Sequence, residues 1–143
     1  MTPRRLLGLG AKGSFYPYVL LLLVAGVWGV FAARIDFPVL LHQPVRDLDP
    51  DGVSDVLSQY RFLRAIEAGF GAFALRFRRE IFTDPLFNRL FLAWMTFGVL
   101  ARLVGIVLDG VPSAPMLFFL GFELVGVVLI FLDTRSIGPR RPP

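Results

Sequence analysis

The chain has 143 residues, of which 55% are apolar and only 18% are charged, and its mean hydropathy is +0.66. A soluble domain averages roughly 45–50% apolar and about 25% charged residues, so this composition excludes a disordered chain, a collagen-like chain and a soluble enzyme domain. It indicates a small integral membrane protein. Because the sequence has no cysteine and only one histidine, His42, a disulfide framework, a thiolate metal site and a histidine cluster are also excluded, and no cofactor is predicted.

The formal net charge is +4, from 15 basic and 11 acidic residues. In a soluble protein this balance would suggest nucleic acid as a partner. Here the basic residues lie in short segments beside apolar runs, and they form no stripe interleaved with exposed aromatic residues. The charge therefore predicts contact with a lipid bilayer and not with nucleic acid.

Apolar runs close to the length needed to cross a membrane, about 20 residues, recur along the chain. They predict four spans, at about residues 14–33, 60–77, 90–108 and 115–132. A basic segment, 1–13, precedes this membrane domain of residues 14–133, and the basic, proline-rich tail 134–143 is expected to be disordered. The expected fold class is therefore all-α, a four-helix transmembrane bundle.

The second predicted span is the weakest, because it contains Arg61, Arg64 and Glu67. A charge near the centre of a lone helix costs roughly 2.5–3.5 kcal/mol, so this helix inserts poorly by itself. We expect partner helices to hold it within the bundle.

The segment 34–59 between the first two spans contains three prolines and five aspartates, which exclude a spanning helix. It is predicted to be a large extramembrane loop. Its apolar part, 37–41, is expected to lie at the membrane interface or to fold back on the bundle.

The acidic part of this loop resembles the calcium-loop template. The matching residues are Asp47, Asp49, Asp51 and Asp55. Ser58 stands where the template needs a bidentate glutamate, which makes calcium a weak hypothesis. An acidic turn that leads into a helix capped by Ser54 or Asp55 is the preferred interpretation.

Basic residues near the span ends fall in three segments: the N-terminal segment, the connection between spans two and three, and the tail. All three lie on one side of a four-span protein, whereas the turn between spans three and four has no basic residue. Since cytoplasmic loops carry the excess of Lys and Arg, this pattern predicts that both termini are cytoplasmic.

Charges inside the spans are the most informative feature, because an ionisable group at that depth is costly and faces a partner or a cavity. At 1.5 Å per residue, Arg64, Glu67, Arg102 and Glu123 lie about 6–12 Å below the outer ends of their helices. One interpretation is a set of interhelical ion pairs that fix helix register. The other is a polar pocket, including Arg61, that opens to the outside and binds a lipid headgroup, a quinone or a similar ligand.

Arg102 and Glu123 are expected to contact each other, because their depths are similar and their helices are joined by the short turn 109–114. Paired glycines are interpreted as points where helices pack closely. The pairs are Gly26 and Gly29, Gly69 and Gly71, Gly98 and Gly105, and Gly121 and Gly126.

Five short motifs together resemble a family of membrane proteins. They are Gln59-Tyr60-Arg61-Phe62-Leu63, Gly69-Phe70-Gly71, Ala101-Arg102-Leu103, Asp109-Gly110-Val111-Pro112 and Phe122-Glu123-Leu124-Val125. Over roughly residues 15–133 the chain resembles the family of domain of unknown function 4345. The resemblance implies a four-helix bundle in the bacterial inner membrane, and it implies no activity. It also implies an arginine at the start of helix two, an arginine in helix three before a G-x-P turn and a glutamate in helix four, and Arg61, Arg102 and Glu123 match these positions.

No catalytic set of residues is recognisable, so an enzyme is not predicted. The preferred interpretation is an accessory or structural subunit that packs against a larger membrane complex or against copies of itself. The alternative is an outward-facing polar pocket that binds or transports a small amphipathic ligand.

Overall fold

The computed structural model describes residues 3–47, 49, 52–135 and 137, and every regular element within them is helical. The α-helices are α1 (Pro3–Phe31), α2 (Ala33–Leu41), α3 (Val53–Arg76), α4 (Glu80–Thr83), α5 (Pro85–Asp109) and α6 (Ala114–Thr134). A short 3-10 turn, Val45–Asp47, lies between α2 and α3. The predicted all-α class is confirmed.

Among the described residues, three helices are long and apolar enough to cross a membrane: α1 from Arg5 onward, α5 and α6. The sequence predicts four. The exception is α3, whose 24 residues reach about 36 Å at 1.5 Å per residue, enough for about 30 Å of hydrocarbon, but which carries five charged residues. The expected count of four helices also needs correction, because the short helices α2 and α4 form between the long ones.

The first helix starts earlier than its predicted span, at Pro3 rather than near residue 14. Packing against α6 explains the difference. Gly8 lies against the carboxylate of Asp133, Gly10 lies against Leu129, and Ala11 is fully buried. Tertiary contact therefore outweighs the low helix propensity of the glycines in this segment.

The stretch predicted as one loop, 34–59, is partly helical. A break at Ala32 ends α1, and α2 then runs to His42, whose left-handed backbone (φ 54°) stops the helix. Phe37 of α2 is buried, so the apolar part of this stretch folds back onto the protein. Its last residues, from Val53, form the first turns of α3.

The chain divides into two compact units. The terminal unit combines Met1–Tyr18 with Arg76–Pro143. In it, the fully buried ring of Phe15 meets Phe82 edge-on at 5.3 Å and Phe91 at 5.4 Å. The helices α5 and α6 follow one another through a four-residue connection and pack together, with Gly126 against Met95.

The central unit is Val19–Leu75. Its core is a cluster formed by Ala33 and Phe37 of α2 with Leu57 and Tyr60 of α3. The rings of Phe37 and Tyr60 meet edge-on at 5.4 Å. The buried residues of α3 are separated by three, four or seven positions, so they share one helix face that also contains Arg64.

Candidate functional site

The central unit contains a hydrogen-bonded network around Arg64, whose side chain is 9% exposed. Its guanidinium donates to Asp36 of α2 (Nη2–Oδ2, 2.8 Å) and to Glu67 on α3 (Nη1–Oε2, 2.7 Å). It also donates to the Tyr60 hydroxyl from Nη2 and Nε, at 2.8 and 3.0 Å, and that hydroxyl donates to Asp36. Every guanidinium nitrogen of Arg64 thus has an acceptor, and the arginine ties α2 to α3.

Arg61, one turn before Arg64, has a different partner. Its Nε donates to the carbonyl oxygen of Val30 in the last turn of α1, at 3.2 Å. The final carbonyls of a helix have no partner within the helix and carry the negative end of its dipole. Arg61 therefore caps α1 with a positive charge.

Two glycines of α1 allow α3 to approach closely within the central unit. A Cβ at Gly26 would lie 2.7 Å from the backbone nitrogen of Ala68, and a Cβ at Gly29 would lie 2.5 Å from Cγ of Arg64. Neither distance is compatible with a side chain. The glycine interpretation holds here and is wrong at Gly69 and Gly121, where a Cβ would have no neighbour within 4 Å.

The terminal unit contains the second charged pair. Arg102 of α5 donates to Glu123 of α6 through Nε to Oε2 at 2.9 Å and through Nη2 to Oε1 at 3.3 Å. This bidentate ion pair joins α5 to α6, as the similar depths of the two residues predict. The remaining nitrogen, Nη1, lies 3.8 Å from the sulfur of Met116, which is a weak acceptor.

A crevice of about 250 Å³ lies beside this pair, and we call it the α5–α6 crevice. Its lining residues are Arg102, Gly105, Ile106, Asp109, Gly110, Pro112, Met116 and Leu120. The Arg102 side chain is one-third exposed, whereas that of Glu123 is only 12% exposed. The crevice therefore presents one guanidinium donor and one carboxylate acceptor between apolar walls.

A third polar group, formed by Asn88 and Thr134, lies buried at the other end of α5 and α6. The Asn88 amide donates to the carbonyl of Ile81 at 2.9 Å, and the Thr134 hydroxyl lies 2.7 Å from the carbonyl of Ile130 and 3.3 Å from Oδ1 of Asn88. These bonds hold α4, α5 and α6 together. No buried side-chain nitrogen or oxygen in the described residues lacks a partner.

The five residues predicted as one intramembrane cluster thus fall into two sets, one in each unit. Arg61, Arg64 and Glu67 belong to the central unit, and Arg102 and Glu123 belong to the terminal unit. Sequence reasoning missed Asp36, which accepts from both Arg64 and Tyr60. A usable signal was present, because Asp36 is the only acid next to the apolar part of the segment that was expected to fold back.

The calcium hypothesis falls partly on residues that the structure does not describe: Asp51, and the side chain of Asp47. Asp49 uses its carbonyl to accept from the backbone nitrogens of Gly52 and Val53, which starts α3. Asp55 lies in the first turn of α3, where its negative charge interacts favourably with the positive end of the helix dipole. The described residues contain no group of three or more metal-ligating side chains placed to hold an ion.

Over the residues that the structure describes, the protein is all-helical, with three helices able to span a membrane and with ion pairs between its helices. Comparison with family models matches residues 14–133 to the family described as domain of unknown function (DUF4345). The chain belongs to this family, which confirms the resemblance seen in its motifs. No curated protein and no solved structure matches the chain.

Proposed function

We propose that the protein binds a small amphipathic molecule in the α5–α6 crevice. The observation that carries the proposal is the open, mostly apolar crevice beside Arg102, whose Nη1 has, among the described residues, only a thioether as its partner. A strong acceptor on a ligand, such as a carbonyl or hydroxyl oxygen, would bind Nη1 better than sulfur does. The carboxylate of Asp109 supplies an acceptor on the same lining.

The charges of this site favour a ligand with a polar but uncharged head. Arg102 is already neutralised by Glu123, and Asp109 adds a negative charge, so the lining does not favour a strongly anionic group. Apolar contacts with Ile106 and Leu120 suit the hydrocarbon part of such a molecule. A quinone-type or hydroxylated lipid head has this chemistry.

Two further features of the protein belong to the same proposal. We infer that α3 is a fourth span, since its three central charges, Arg61, Arg64 and Glu67, have partners on α1, on α2 or within α3, and Asp55 and Arg76 lie near its ends. With four spans, the distribution of basic residues puts both termini on the cytoplasmic side of a bacterial inner membrane. The α5–α6 crevice would then open near the outer surface.

The test is to fill the crevice without touching its ion pair. Gly105 lines the crevice, so Gly105→Phe would occupy its volume, whereas Gly121→Phe adds the same ring at an exposed position with no neighbour within 4 Å. We expect a stoichiometric amphipathic compound in organic extracts of the wild type and of Gly121→Phe, measured by mass spectrometry, and none with Gly105→Phe. A compound that Gly105→Phe retains would contradict the site.

A second candidate is the accessory subunit. It is favoured by the low burial of the three helices that could span a membrane. In the most apolar 18-residue stretches of α1, α5 and α6, only 28%, 22% and 17% of the residues are buried. Large side chains such as Phe97 and Phe118 remain exposed and suit either lipid or partner helices. Purification in mild detergent followed by native mass spectrometry separates the candidates, because a subunit should carry a partner or a second copy.

A further inference from the structure

A second cavity of about 330 Å³ lies at the end of the α5–α6 pair opposite the crevice, and we call it the basic cavity. Its lining residues are Pro85, Asn88, Arg89, Leu92, Phe131, Thr134, Arg135 and Ile137. Arg89 belongs to the second turn of α5, and Arg135 directly follows α6. We propose that this cavity binds the phosphate group of an anionic phospholipid.

The first argument is the free charge of the two arginines. Both are exposed, and neither makes an ion pair or a hydrogen bond with any described residue. This separates them from Arg64 and Arg102, which are held by carboxylates. A planar guanidinium offers two parallel N–H groups that match the oxygens of a phosphate.

The second argument is that nearby carboxylates do not neutralise the cavity. Oδ1 of Asp84 accepts from the backbone nitrogens of Leu86 and Phe87 at the start of α5. Asp133 lies against Gly8 of α1. Neither aspartate is among the lining residues, so Arg89 and Arg135 are the charged side chains on the described wall of the basic cavity.

The third argument is the mixed chemistry of the walls. Asn88 and Thr134 form a buried polar floor, and the Asn88 amide can donate a second hydrogen. Leu92 and Phe131 add apolar surface on the span side of the arginines, where acyl chains would lie. This combination suits a lipid phosphate better than a free anion, which would gain nothing from Leu92 and Phe131.

The occupant can be tested on the whole protein in mixed micelles with dioleoyl-phosphatidylglycerol, dioleoyl-phosphatidylcholine and glycerol 1-phosphate as probes. Binding is measured by native mass spectrometry. We expect tight binding of phosphatidylglycerol and of neither other probe. In the double variant Arg89→Gln/Arg135→Gln, we expect each of the two lost arginines to lower the affinity for phosphatidylglycerol about fivefold. Glycerol 1-phosphate that binds as tightly as phosphatidylglycerol would overturn the lipid assignment.

A matched control removes the same charge from the same basic region. Arg76 and Arg79 are exposed and lie outside the cavity lining, so we expect Arg76→Gln/Arg79→Gln to lose at most about twofold, since exposed charges without direct contact act only through solvent and salt. An equal loss in both double variants would overturn the proposal, because it would mean general attraction to the surface.

Photo-cross-linking of the wild-type protein tests the proposal without any variant, so its result does not depend on how the variants fold. Phosphatidylglycerol with a photoreactive acyl chain should cross-link to peptides that contain Leu92 or Phe131. Cross-links confined to other segments would overturn the proposal whatever the variants do. The result is independent of the α5–α6 crevice, which the Gly105→Phe variant tests separately.

Discussion

Arg64 and Arg102 differ in how much hydrogen-bonding capacity their partners leave unused. Arg64 is buried, and each of its guanidinium nitrogens donates a hydrogen bond to Asp36, Tyr60 or Glu67. Arg102 is partly exposed, and its Nη1 faces the sulfur of Met116 beside the α5–α6 crevice. The first arrangement is that of a structural tie, and the second leaves room for a ligand. The two interpretations of the charged set can therefore be tested on different residues, the structural one at Arg64 and the ligand-binding one at Arg102.

For single residues, Arg102→Ala tests how much the ion pair with Glu123 contributes to the stability of the fold. The substitution leaves a carboxylate that is 12% exposed without its partner, which we expect to cost about 3–5 kcal/mol and to lower the thermal midpoint and the folded yield. The exchange Arg102→Glu with Glu123→Arg should recover part of the loss. An unchanged thermal midpoint in Arg102→Ala would show that the bond does not stabilise the fold.

Among the helices, the approach of α1 to α3 depends on Gly26. A methyl group there would meet the backbone of Ala68 and Arg64, which cannot move aside as a side chain can. We expect Gly26→Ala to destabilise the protein by about 1–3 kcal/mol, seen as a lower thermal midpoint in detergent. Gly13→Ala, on the same helix with no neighbour within 4 Å, is the control and should be neutral or stabilising.

The sequence predicts the long helices well and the short ones poorly, for physical reasons. The α5–α6 pair follows from two apolar runs and a proline-containing turn, and its bond between Arg102 and Glu123 follows from similar depth. By contrast, α2 forms despite Pro38, because Phe37 is buried in the core of the central unit. The bond between Asn88 and Thr134 was not predictable, since no spacing rule relates residues that are 46 positions apart.

For the whole molecule, single cysteines can test whether α3 crosses the membrane, because the chain has no cysteine of its own. With four spans, an impermeant thiol reagent on intact cells should label Asp49→Cys and Ser113→Cys. It should leave Arg79→Cys and Ser136→Cys unlabelled. Labelling of both Asp49→Cys and Arg79→Cys would mean that α3 stays on one side.

The bonds of α3 also bear on the order in which the protein is made. Within the described residues, the acceptors that Arg61 and Arg64 find outside α3 are the Val30 carbonyl and Asp36, and both come earlier in the chain. Since synthesis runs from the N-terminus, these acceptors have already left the ribosome when the two arginines emerge. The acceptors of these two arginines are therefore synthesised before α3 is complete, and we expect the order of the helices along the chain to favour the pairing of its charges.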